Sequence, residues 1–474
     1  MTVPQVVIIG GGVSGLAAAY FLEKYAAEAG IGISIHLMEA QGRLGGVILT
    51  ERVDDFLLEG GPDSFLSLKP AALELCRELG LSDHIVPSND HLRKTYVLWG
   101  GRLRELPDGL MFVVPSKVWP IFGSDLFSFA GKLRLAASPF LPQPRSDGQD
   151  ISVADFLRQR LGNQVVERLA EPLLAAVYGA DVDSLSARTV LPQLIALEEK
   201  HGSLWRGIQA ARRAARGNGK AQPKSSLFLT LRNGVGEIIT SLEKKLVKTQ
   251  VRMGTEITGA NAKPEGSGFS IESRGGPTDA AAVIVATPAH AAARILRGLD
   301  SQLAEHLGAI RYHSSVTVSL GFAEGAFQPE LQGFGFVVPR SEKKNLIACT
   351  WVSTKFPFRS RPEHVLLRCF LGGARDPAIL AEEDSRIVEI TLRELGEVMG
   401  SRPEPTFSRI YRWEKCMPQY RVGHLRGLEE ISSRLAHHPG LFLAGNGYRG
   451  LGIPDCIQSA STAAAAALRY LQSL

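Results

Sequence analysis

The residues near the amino terminus constrain the fold more than any other part of the sequence. A β-branched run at residues 6–9, VVII, leads directly into residues 10–15, GGGVSG. An alanine-rich stretch with helical character follows, and a second apolar run at residues 33–38 ends at Glu39. Strand, glycine turn, helix, strand and acid in this order are typical of a βαβ unit that binds a dinucleotide. The pattern therefore predicts an α/β fold with a Rossmann-like sheet.

Each part of such a unit has a physical task. Gly10 makes the tight turn, Gly12 lets the backbone approach a diphosphate, and Gly15 lets the helix pack closely on the strand. The amino terminus of the helix presents free N–H groups and a partial positive charge to the diphosphate. Glu39 ends the second strand, where its carboxylate can accept both ribose hydroxyls of an adenosine. We expect these four residues to bind the cofactor.

A second group of glycines indicates whether the bound dinucleotide is a flavin or a nicotinamide cofactor. Gly45 and Gly46 follow the acid closely, together with Arg43, and Gly60-Gly61 comes next. An NAD dehydrogenase has no need of glycines here, whereas in a flavoprotein the chain returns alongside the diphosphate and the flavin ring. Arg43 can neutralise a phosphate with two hydrogen bonds. These residues indicate FAD, with Gly61 among its contacts; surface turns and a solvated arginine are the alternative.

Three later segments extend the same frame. Residues 251–257 predict an edge strand that starts at Val251 and lies over the adenine. Residues 282–288 and 441–446 predict buried strands that end at a proline and at a glycine. Gly452, Ile453 and Pro454 then open a terminal helix, and its amino terminus can face the flavin and stabilise the reduced form. The alternative is an alanine-rich packing helix behind a glycine loop.

The length of the chain implies two or three domains that share a substantial core. It has 474 residues, of which 45% are hydrophobic and 21% charged, and this excludes disorder and coiled coil. Helical periodicity at 151–197 and alternating strands at 316–371 interrupt the cofactor frame. We predict an FAD-binding domain built from residues 1–80, 226–300 and 405–474. An antiparallel-sheet substrate domain would comprise residues 81–111 and 301–404. Residues 112–225 would form a helical insertion.

Charge and cysteine content narrow the cellular setting. The formal net charge of +5 is too small to indicate a nucleic-acid partner. The five cysteines are scattered without CxxC or metal-ligand spacing, which favours reduced thiols in the cytoplasm and no metal site. The apolar amino-terminal run lacks a basic region before it and holds three glycines at its centre. This argues against a signal peptide or a membrane span.

Several motifs together resemble one family, the FAD-dependent porphyrinogen oxidases of haem biosynthesis, within the monoamine-oxidase-like flavoproteins. The resemblance covers nearly the whole chain, and MPQY and GIPDCI are its most specific parts. It is similar to the Gram-positive bacterial branch, which implies coproporphyrinogen III as substrate, with protoporphyrinogen IX as the alternative. The motifs that carry it are GGPDSFL at 60–66, EPLL at 171–174, VYGA at 177–180, QGFG at 332–335, MPQY at 417–420, GH at 423–424 and GIPDCI at 452–457.

The resemblance also implies a reaction and a set of substrate contacts. A two-electron flavin would oxidise the porphyrinogen three times, with O₂ as acceptor, and no acid or base is assigned because aromatisation drives the reaction. Phe356 and Leu331 would sandwich the tetrapyrrole, and the backbone of Gly179 would line the cleft. Propionates require cations, and Lys69 and Arg93 are the candidates, because Thr95 stands where some family members have a propionate-binding arginine. The alternatives are core packing for Phe356 and Leu331, a helix cap for Gly179, and solvated charges for the two cations.

Other functions stay open at this point. An amine oxidase or carotenoid desaturase shares the flavin motifs, and a flavin-binding electron-transfer protein is a third class. Apolar residues at 111–114 and 119–122 are candidates for peripheral contact with a membrane. The basic stretch at 212–224 is either a solvated loop or a contact with anionic lipid. The oligomeric state does not follow from the sequence.

Overall fold

The computed structural model of the protein describes residues 3–107, 109–111, 114–115, 119–140, 148–217, 226–264, 268–328 and 330–474. Its strands are β1 (Gln5–Ile9), β2 (Ser34–Met38), β3 (Thr50–Val53), β4 (Phe56–Glu59), β5 (Phe65–Leu66), β6 (Ile85–Pro87), β7 (Thr95–Trp99), β8 (Arg102–Glu105), β9 (Leu110–Met111), β10 (Val114–Pro115), β11 (Phe228–Leu231), β12 (Thr249–Arg252), β13 (Ile257–Ala262), β14 (Phe269–Ser273), β15 (Thr278–Ala280), β16 (Ala282–Val285), β17 (Tyr312–Phe322), β18 (Gly335–Val337), β19 (Ala348–Trp351), β20 (Val365–Gly372), β21 (Phe407–Pro418) and β22 (Leu441–Leu443). Its α-helices are α1 (Val13–Glu28), α2 (Pro70–Glu78), α3 (Trp119–Gly123), α4 (Phe129–Ala137), α5 (Val153–Leu161), α6 (Asn163–Val165), α7 (Glu171–Tyr178), α8 (Ala187–Val190), α9 (Pro192–His201), α10 (Leu204–Gly217), α11 (Gly236–Lys245), α12 (Ala289–Leu296), α13 (Ser301–Ala309), α14 (Val352–Lys355), α15 (Asp384–Met399), α16 (His424–Leu435) and α17 (Ile453–Gln472).

Five parallel strands form the sheet that carries the amino-terminal glycine turn. Their order is β12-β2-β1-β16-β22, so the first strand of the chain lies at the centre. Val6 pairs with Ala282 on one side and with Ile35 on the other. Residues 6–9 are buried, as expected for a parallel strand that helices cover on both faces. The predicted α/β fold with a Rossmann-like sheet is confirmed.

Helices α1 and α17 lie against this sheet and pack on each other through alanines. Ala17 and Ala18 of α1 and Ala460 and Ala464 of α17 are fully buried in one apolar cluster with the sheet. Short side chains let two helices approach closely, because the separation of packed helices depends on the side chains between them. The last helix of the chain therefore supports the first one, directly beneath the glycine turn.

Residues 251–257, predicted as one strand, belong to two. β12 ends at Arg252, and Gly254 then adopts a φ of +65° in an exposed turn. β13 starts at Ile257 and pairs with β14 in a separate antiparallel sheet. The prediction of a single strand was wrong because a glycine in the left-handed region turns the chain. The part that contains Val251 is the edge strand of the parallel sheet.

A second large sheet has seven strands in the order β21-β17-β20-β19-β18-β7-β8. Its neighbours are antiparallel except β7 and β18, which run parallel. Side chains on one face, among them Val316, Leu367 and Cys369, are buried in an apolar cluster with α15. The antiparallel sheet predicted for residues 301–404 is therefore present. It also contains β7 and β8 from the segment 81–111, which we assigned to the same domain, and β21 from the segment 405–474.

The other face of this sheet carries small and polar side chains. Arg368 pairs with Ser319 and Thr350, and Phe370 pairs with Thr317 and Ala348. Directly paired residues of an antiparallel sheet point to the same side. This side, called the polar face below, comprises Thr317, Ser319, Ala348, Thr350, Arg368 and Phe370.

The helices between α3 and α10 form a third unit with an apolar cluster of its own. Within the region of predicted helical periodicity, residues 165–177 include a π-helical turn at Val166–Ala170 followed by α7. Pro172 lies in the first turn of α7, where a missing N–H is tolerated. Among the helices of the described residues, none is long and apolar enough to cross a membrane.

The division into domains stays a prediction, and the sheet pairing suggests one change to it. β21 lies within the segment 405–474 that we assigned to the FAD-binding domain, yet it pairs with β17 along most of its length, from Phe407 to Pro418. We therefore propose that the last cofactor segment begins after Pro418.

Candidate functional site

The packing of the protein itself requires glycine at two positions of the amino-terminal turn. Gly10 has a φ of +107°, and a Cβ on it would lie 2.9 Å from the carbonyl oxygen of Ala286. A Cβ on Gly15 would lie 1.8 Å from the carbonyl oxygen of Gly10. Atoms cannot approach this closely, so any larger residue has to move the backbone between β1 and α1.

Gly12 differs from these two glycines because its surroundings are open. A Cβ on Gly12 would come no closer than 4.0 Å to a described protein atom, the Cα of Gly46. Gly12 caps α1 without a side-chain hydrogen bond, and the first turn of the helix has no acidic residue. The first N–H groups of the helix therefore keep their capacity to donate. A diphosphate fits at this end of the helix, as the predicted dinucleotide requires.

Glu39 lies beside the same turn, at the end of β2. Its Oε2 accepts a hydrogen bond from the N–H of Gly11 at 2.6 Å, and its Oε1 accepts one from the N–H of Gln41 at 2.7 Å. A carboxylate oxygen can accept more than one hydrogen bond, so the side chain still has lone pairs for ribose hydroxyls. The role of Glu39 at the ribose stays a prediction that this position supports.

The second group of glycines packs directly against the first. The N–H of Gly45 donates to the carbonyl oxygen of Gly11 at 2.8 Å. Gly46 has a φ of +59°, and a Cβ on it would lie 3.3 Å from the Cα of Gly12. Arg43 donates to the carbonyl oxygens of Leu44, Gly46 and Ile48. Arg43 thus holds the shape of this loop in the structure, and its contact with a phosphate stays a prediction.

The start of α17 meets the same edge of the sheet. Gly452 is its N-cap and donates from its N–H to Oδ2 of Asp455 at 3.1 Å. Pro454 lies in the first turn, as predicted, with Ile453 before it. The structure thus brings the two helix amino termini, Glu39 and both glycine groups to one edge of the parallel sheet, with Val251 in the edge strand beside β2.

The turn at Gly60-Gly61 connects this edge with the seven-stranded sheet. A Cβ on Gly61 would lie 1.7 Å from the carbonyl oxygen of Val47, so the turn packs tightly on the loop of the second glycine group. From the other side, Arg368 donates to the carbonyl oxygens of Gly60 and Gly61. Trp413 donates from Nε1 to the carbonyl oxygen of Gly60 at 2.8 Å.

Buried ion pairs surround this turn. Arg359 donates to Oε1 of Glu59 at 3.0 Å, and Lys355 lies 3.2 Å from Oδ2 of Asp63. Burial alone raises the pKa of Asp63, but Lys355, Arg368 and Arg359 outweigh this effect and hold the pKa well below its ordinary value. Asp63 is therefore a carboxylate at neutral pH, and the 60–63 segment is fixed from the second sheet.

Of the two side chains predicted to sandwich the substrate, Phe356 is buried and Leu331 is half-buried. Phe356 is 0% exposed, and its ring contacts Phe358 and Arg359. Leu331 is half-buried against the apolar cluster beneath the seven-stranded sheet. Both positions favour the core-packing alternative, so contact with a substrate stays a prediction for each and needs a movement at Phe356.

The other three predicted substrate residues have different surroundings. Gly179 caps α7 in the left-handed region, with a φ of +58°, and its carbonyl oxygen contacts Nδ1 of His313 at 2.9 Å. Lys69 forms an ion pair with both oxygens of Asp455 at 2.7 Å, at the start of α17. Arg93 is exposed just before β7. The structure thus brings Lys69, but not Arg93, next to the predicted cofactor edge.

Sequence reasoning missed Arg368 and Phe370. Both lie on the polar face, and the guanidinium of Arg368 lies 4.8 Å from the ring centroid of Phe370. Phe370 is half-buried and packs against the cluster of the helical unit, so it lies where the sheet, the helices and the 60–61 turn meet. The signal was present, since an arginine within the apolar run 365–371, VLLRCFL, is unusual for a buried strand.

Comparison with known proteins agrees with this geometry. The model of the flavin containing amine oxidoreductase family matches residues 13–468, and the chain belongs to this family. It is a flavin-dependent oxidoreductase, and the FAD cofactor predicted from the glycine motifs is confirmed.

Individual relatives narrow the resemblance further. The chain is 39% identical over 471 residues to a coproporphyrinogen III oxidase of Bacillus subtilis, covering 99% of both chains. It is 31% identical to a protoporphyrinogen oxidase of Homo sapiens, covering 98% of both. A crystal structure from Exiguobacterium, of a protein provisionally assigned as a protoporphyrinogen oxidase, superposes with a TM-score of 0.86 at 31% identity over 100% of both chains. The resemblance to the porphyrinogen oxidase family is thereby confirmed.

Proposed function

We propose that the protein oxidises a porphyrinogen to the corresponding porphyrin, with coproporphyrinogen III as its substrate and protoporphyrinogen IX as the alternative. The observation that carries this proposal is the 39% identity to the Bacillus subtilis coproporphyrinogen III oxidase over 99% of both chains. A likeness that spans every described unit includes the substrate side as well as the cofactor side of the molecule.

FAD, when bound, supplies a two-electron acceptor, so the six electrons that separate a porphyrinogen from a porphyrin require three rounds. With O₂ as the final acceptor, each round yields one peroxide and the whole reaction consumes three O₂. The protein has to bind and orient a flat substrate and exclude water, because aromatisation provides the driving force. No side chain is assigned as acid or base.

The polar face of the seven-stranded sheet is the surface that best suits a flat substrate. We assign Phe370 as the aromatic platform, since its ring is half-buried and lies 4.8 Å from the guanidinium of Arg368, which donates to the 60–61 turn. Thr317 and Thr350 flank it on the neighbouring strands. Phe356 remains as a contact that would require a local movement, and Leu331 remains as a half-buried candidate. Gly179 lines a pocket together with Glu171 and Ala175 of α7 and residues near Arg340 and Arg375.

Propionates of the substrate require cations. Lys69 already pairs with Asp455, so a propionate would have to share or replace this carboxylate. Arg93 is exposed and would bind a propionate only at the outer edge of the cleft. Coproporphyrinogen and protoporphyrinogen differ in the number of propionates, so these two cations bear on the choice between them.

We further propose a cytoplasmic location with peripheral attachment to the membrane. All five cysteines are free thiols, as suits a reducing compartment. Large apolar side chains are exposed on and beside α4: Phe129 by 75%, Leu133 by 50% and Phe140 by 88%. An exposed apolar patch of this kind is typical of a membrane or protein contact.

The exposed apolar residues of this patch differ from those that the sequence predicted for membrane contact. Val114 and Ile121 are buried in the cluster of the helical unit, so they do not supply apolar contact. Residues 112–113 and most of the basic stretch at 212–224 lie outside the described side chains. Vesicles of anionic lipid test the patch: Leu133→Ser should reduce co-sedimentation while leaving FAD bound, and unchanged co-sedimentation would remove the proposal.

The reaction is tested by incubating the FAD-loaded protein with each porphyrinogen under air. We expect the fluorescent porphyrin and peroxide to form, with a higher kcat/KM for coproporphyrinogen III than for protoporphyrinogen IX. The Gly12→Val variant, which we expect to lack FAD, is the matched control for spontaneous oxidation. If neither porphyrinogen reacts faster than in this control, the proposed function is wrong.

An amine oxidase is the second candidate, because the matching family model is that of the amine oxidoreductases. It predicts that a primary or secondary amine bleaches the flavin absorbance when O₂ is absent. Under the same conditions our proposal predicts bleaching by a porphyrinogen and none by amines.

A further inference from the structure

A cluster of buried charges lies between the 60–61 turn and the seven-stranded sheet. Its members come from β4, from the segment after it, from α14 and the following turn, and from β20. Each is less than one-tenth exposed except Asp63, whose side chain is 14% exposed. The cluster, called the buried charge cluster below, comprises Glu59, Asp63, Lys355, Arg359 and Arg368.

Four of the five charges form two ion pairs. Arg359 pairs with Glu59 at 3.0 Å, and Lys355 pairs with Asp63 at 3.2 Å. Arg368 is 5% exposed, and no carboxylate of the described residues forms an ion pair with it. Its Nε is buried without a hydrogen-bond partner. The cluster therefore contains three cations against two carboxylates, and the excess positive charge is that of Arg368.

Burying a guanidinium without a direct ion-pair partner is costly: burial lowers the pKa of Arg368, and the nearby carboxylates of Asp63 and Glu59 offset this only in part. A neutral side chain of similar length would fill the same space without this cost, but it could not donate hydrogen bonds to the turn. What Arg368 does contact is the 60–61 turn, through the carbonyl oxygens of both glycines. That turn packs on Val47, next to the loop of Gly45 and Gly46. The guanidinium of Arg368 therefore contacts the segment of the chain that is predicted to run along the flavin.

We propose that Arg368 is a positioning residue for FAD: it fixes the 60–61 turn, and its uncompensated charge raises the reduction potential of the bound cofactor. A reduced flavin carries more negative charge than an oxidised one, and a fixed buried cation stabilises the more negative form. The inference rests on the proposed course of FAD along this turn. It does not depend on which substrate the enzyme oxidises.

The size of the effect follows from Coulomb's law. At an effective dielectric constant of about 20, two unit charges change an equilibrium constant about tenfold out to a separation of roughly 12 Å. For a two-electron couple, a tenfold change corresponds to about 30 mV. Removing the charge should therefore lower the midpoint potential of bound FAD by about 30 mV.

The experiment compares the midpoint potential of bound FAD in the holoenzyme and in four variants, by equilibration with redox dyes without O₂. Arg368→Met removes the charge and should lower the potential, and Arg368→Lys should restore most of it. Asp63→Asn removes a negative charge from the same cluster and should raise the potential. Arg409→Met is the matched control, since Arg409 occupies the same row of the sheet, opposite Ser319, but is exposed.

The proposal predicts shifts of opposite sign in the midpoint potential, a decrease in Arg368→Met and an increase in Asp63→Asn. A potential in Arg368→Met equal to that of Arg409→Met overturns the proposal. If Arg368→Met does not fold or does not retain FAD, Asp63→Asn decides alone, and a potential that does not rise overturns the proposal equally. No porphyrinogen is present in these measurements, so a failure here is distinct from a failure of the proposed reaction.

Discussion

The two large sheets of this protein use glycine and charge in opposite ways. At the edge of the parallel sheet, glycines permit contacts of backbone with backbone, as at Gly15, where a Cβ would lie 1.8 Å from a carbonyl oxygen. On the polar face of the seven-stranded sheet, long side chains such as Arg368 and Trp413 reach across to carbonyl oxygens of the first region. One region is shaped by the absence of side chains and the other by their reach.

This difference predicts which kind of substitution each region does not tolerate. A site made of backbone fails when any atom is added, because the neighbouring atoms are backbone too and cannot move independently. A site made of side chains fails when an atom or a charge is removed. The variants below test this contrast, in order of decreasing expected effect.

The largest effect is expected within the amino-terminal turn, where Gly15→Val and Gly12→Val should differ in kind. A side chain on Gly15 collides with the carbonyl oxygen of Gly10, so we expect loss of folded protein. A side chain on Gly12 meets open space, so the variant should fold but lose FAD. Circular dichroism and the absorbance of bound flavin distinguish the two results. A Gly12→Val protein that retains all of its FAD would contradict the proposed diphosphate position.

The second effect concerns the ion pair of Arg359 with Glu59, whose side chains are 1% and 0% exposed. Arg359→Met leaves the buried Glu59 without its ion-pair partner, which should cost about 3–5 kcal/mol of unfolding free energy. Arg361→Met is the control, because Arg361 is 61% exposed in its pair with Asp55, and it should cost less than about 1 kcal/mol. Urea denaturation measures both; equal losses would mean that burial of the pair has no energetic consequence.

A third pair of variants distinguishes a residue that packs in the core, Phe356, from one that we place at the substrate, Phe370. Phe356→Ala opens a cavity in the interior and should lower the free energy of unfolding by about 3–5 kcal/mol, with little change in KM for the porphyrinogen. Phe370→Ala should instead raise KM about five- to tenfold, as loss of a ring contact of roughly 1 kcal/mol implies, and cost less stability. Steady-state kinetics beside urea denaturation distinguishes them. A raised KM in Phe356→Ala alone would restore Phe356 as the substrate contact.

The smallest effect is a loss of stability that is present at neutral pH and shrinks in acid. Because the pKa of Asp63 is held below its ordinary value in the folded protein, its stabilising contribution is complete above about pH 4 and is lost as the pH falls further. Asp63→Asn should therefore be less stable than the wild type at pH 7, and the difference should shrink toward pH 3. Asp279→Asn, at an exposed position, is the control and should show no such convergence. A constant difference across this range would contradict the role of the neighbouring cations.

The sequence predicted the cofactor region well because its signals are local. Strand, glycine turn, helix and acid follow one another within 40 residues, and each glycine constrains its own neighbours. The break at Gly254 was missed because one glycine in a segment with strand-like residues does not reveal its φ. On the second sheet, alternation located the strands but not the face that points to the cofactor. Arg368 meets Gly61 only after pairing of distant strands, and no local pattern specifies that contact.

The order of the strands in the parallel sheet has a consequence for how the protein is made. The centre of the sheet, β1, is synthesised first and its partner β2 follows soon after, but its other partner β16, the next strand β22 and the supporting helix α17 follow more than 270 residues later. Contacts between such distant segments fold slowly, and incomplete sheets expose edges that aggregate. The nascent chain therefore emerges from the ribosome with one edge of an apolar strand unpaired until β16 is made. We expect chaperone dependence and FAD supply during expression to determine the yield of active enzyme.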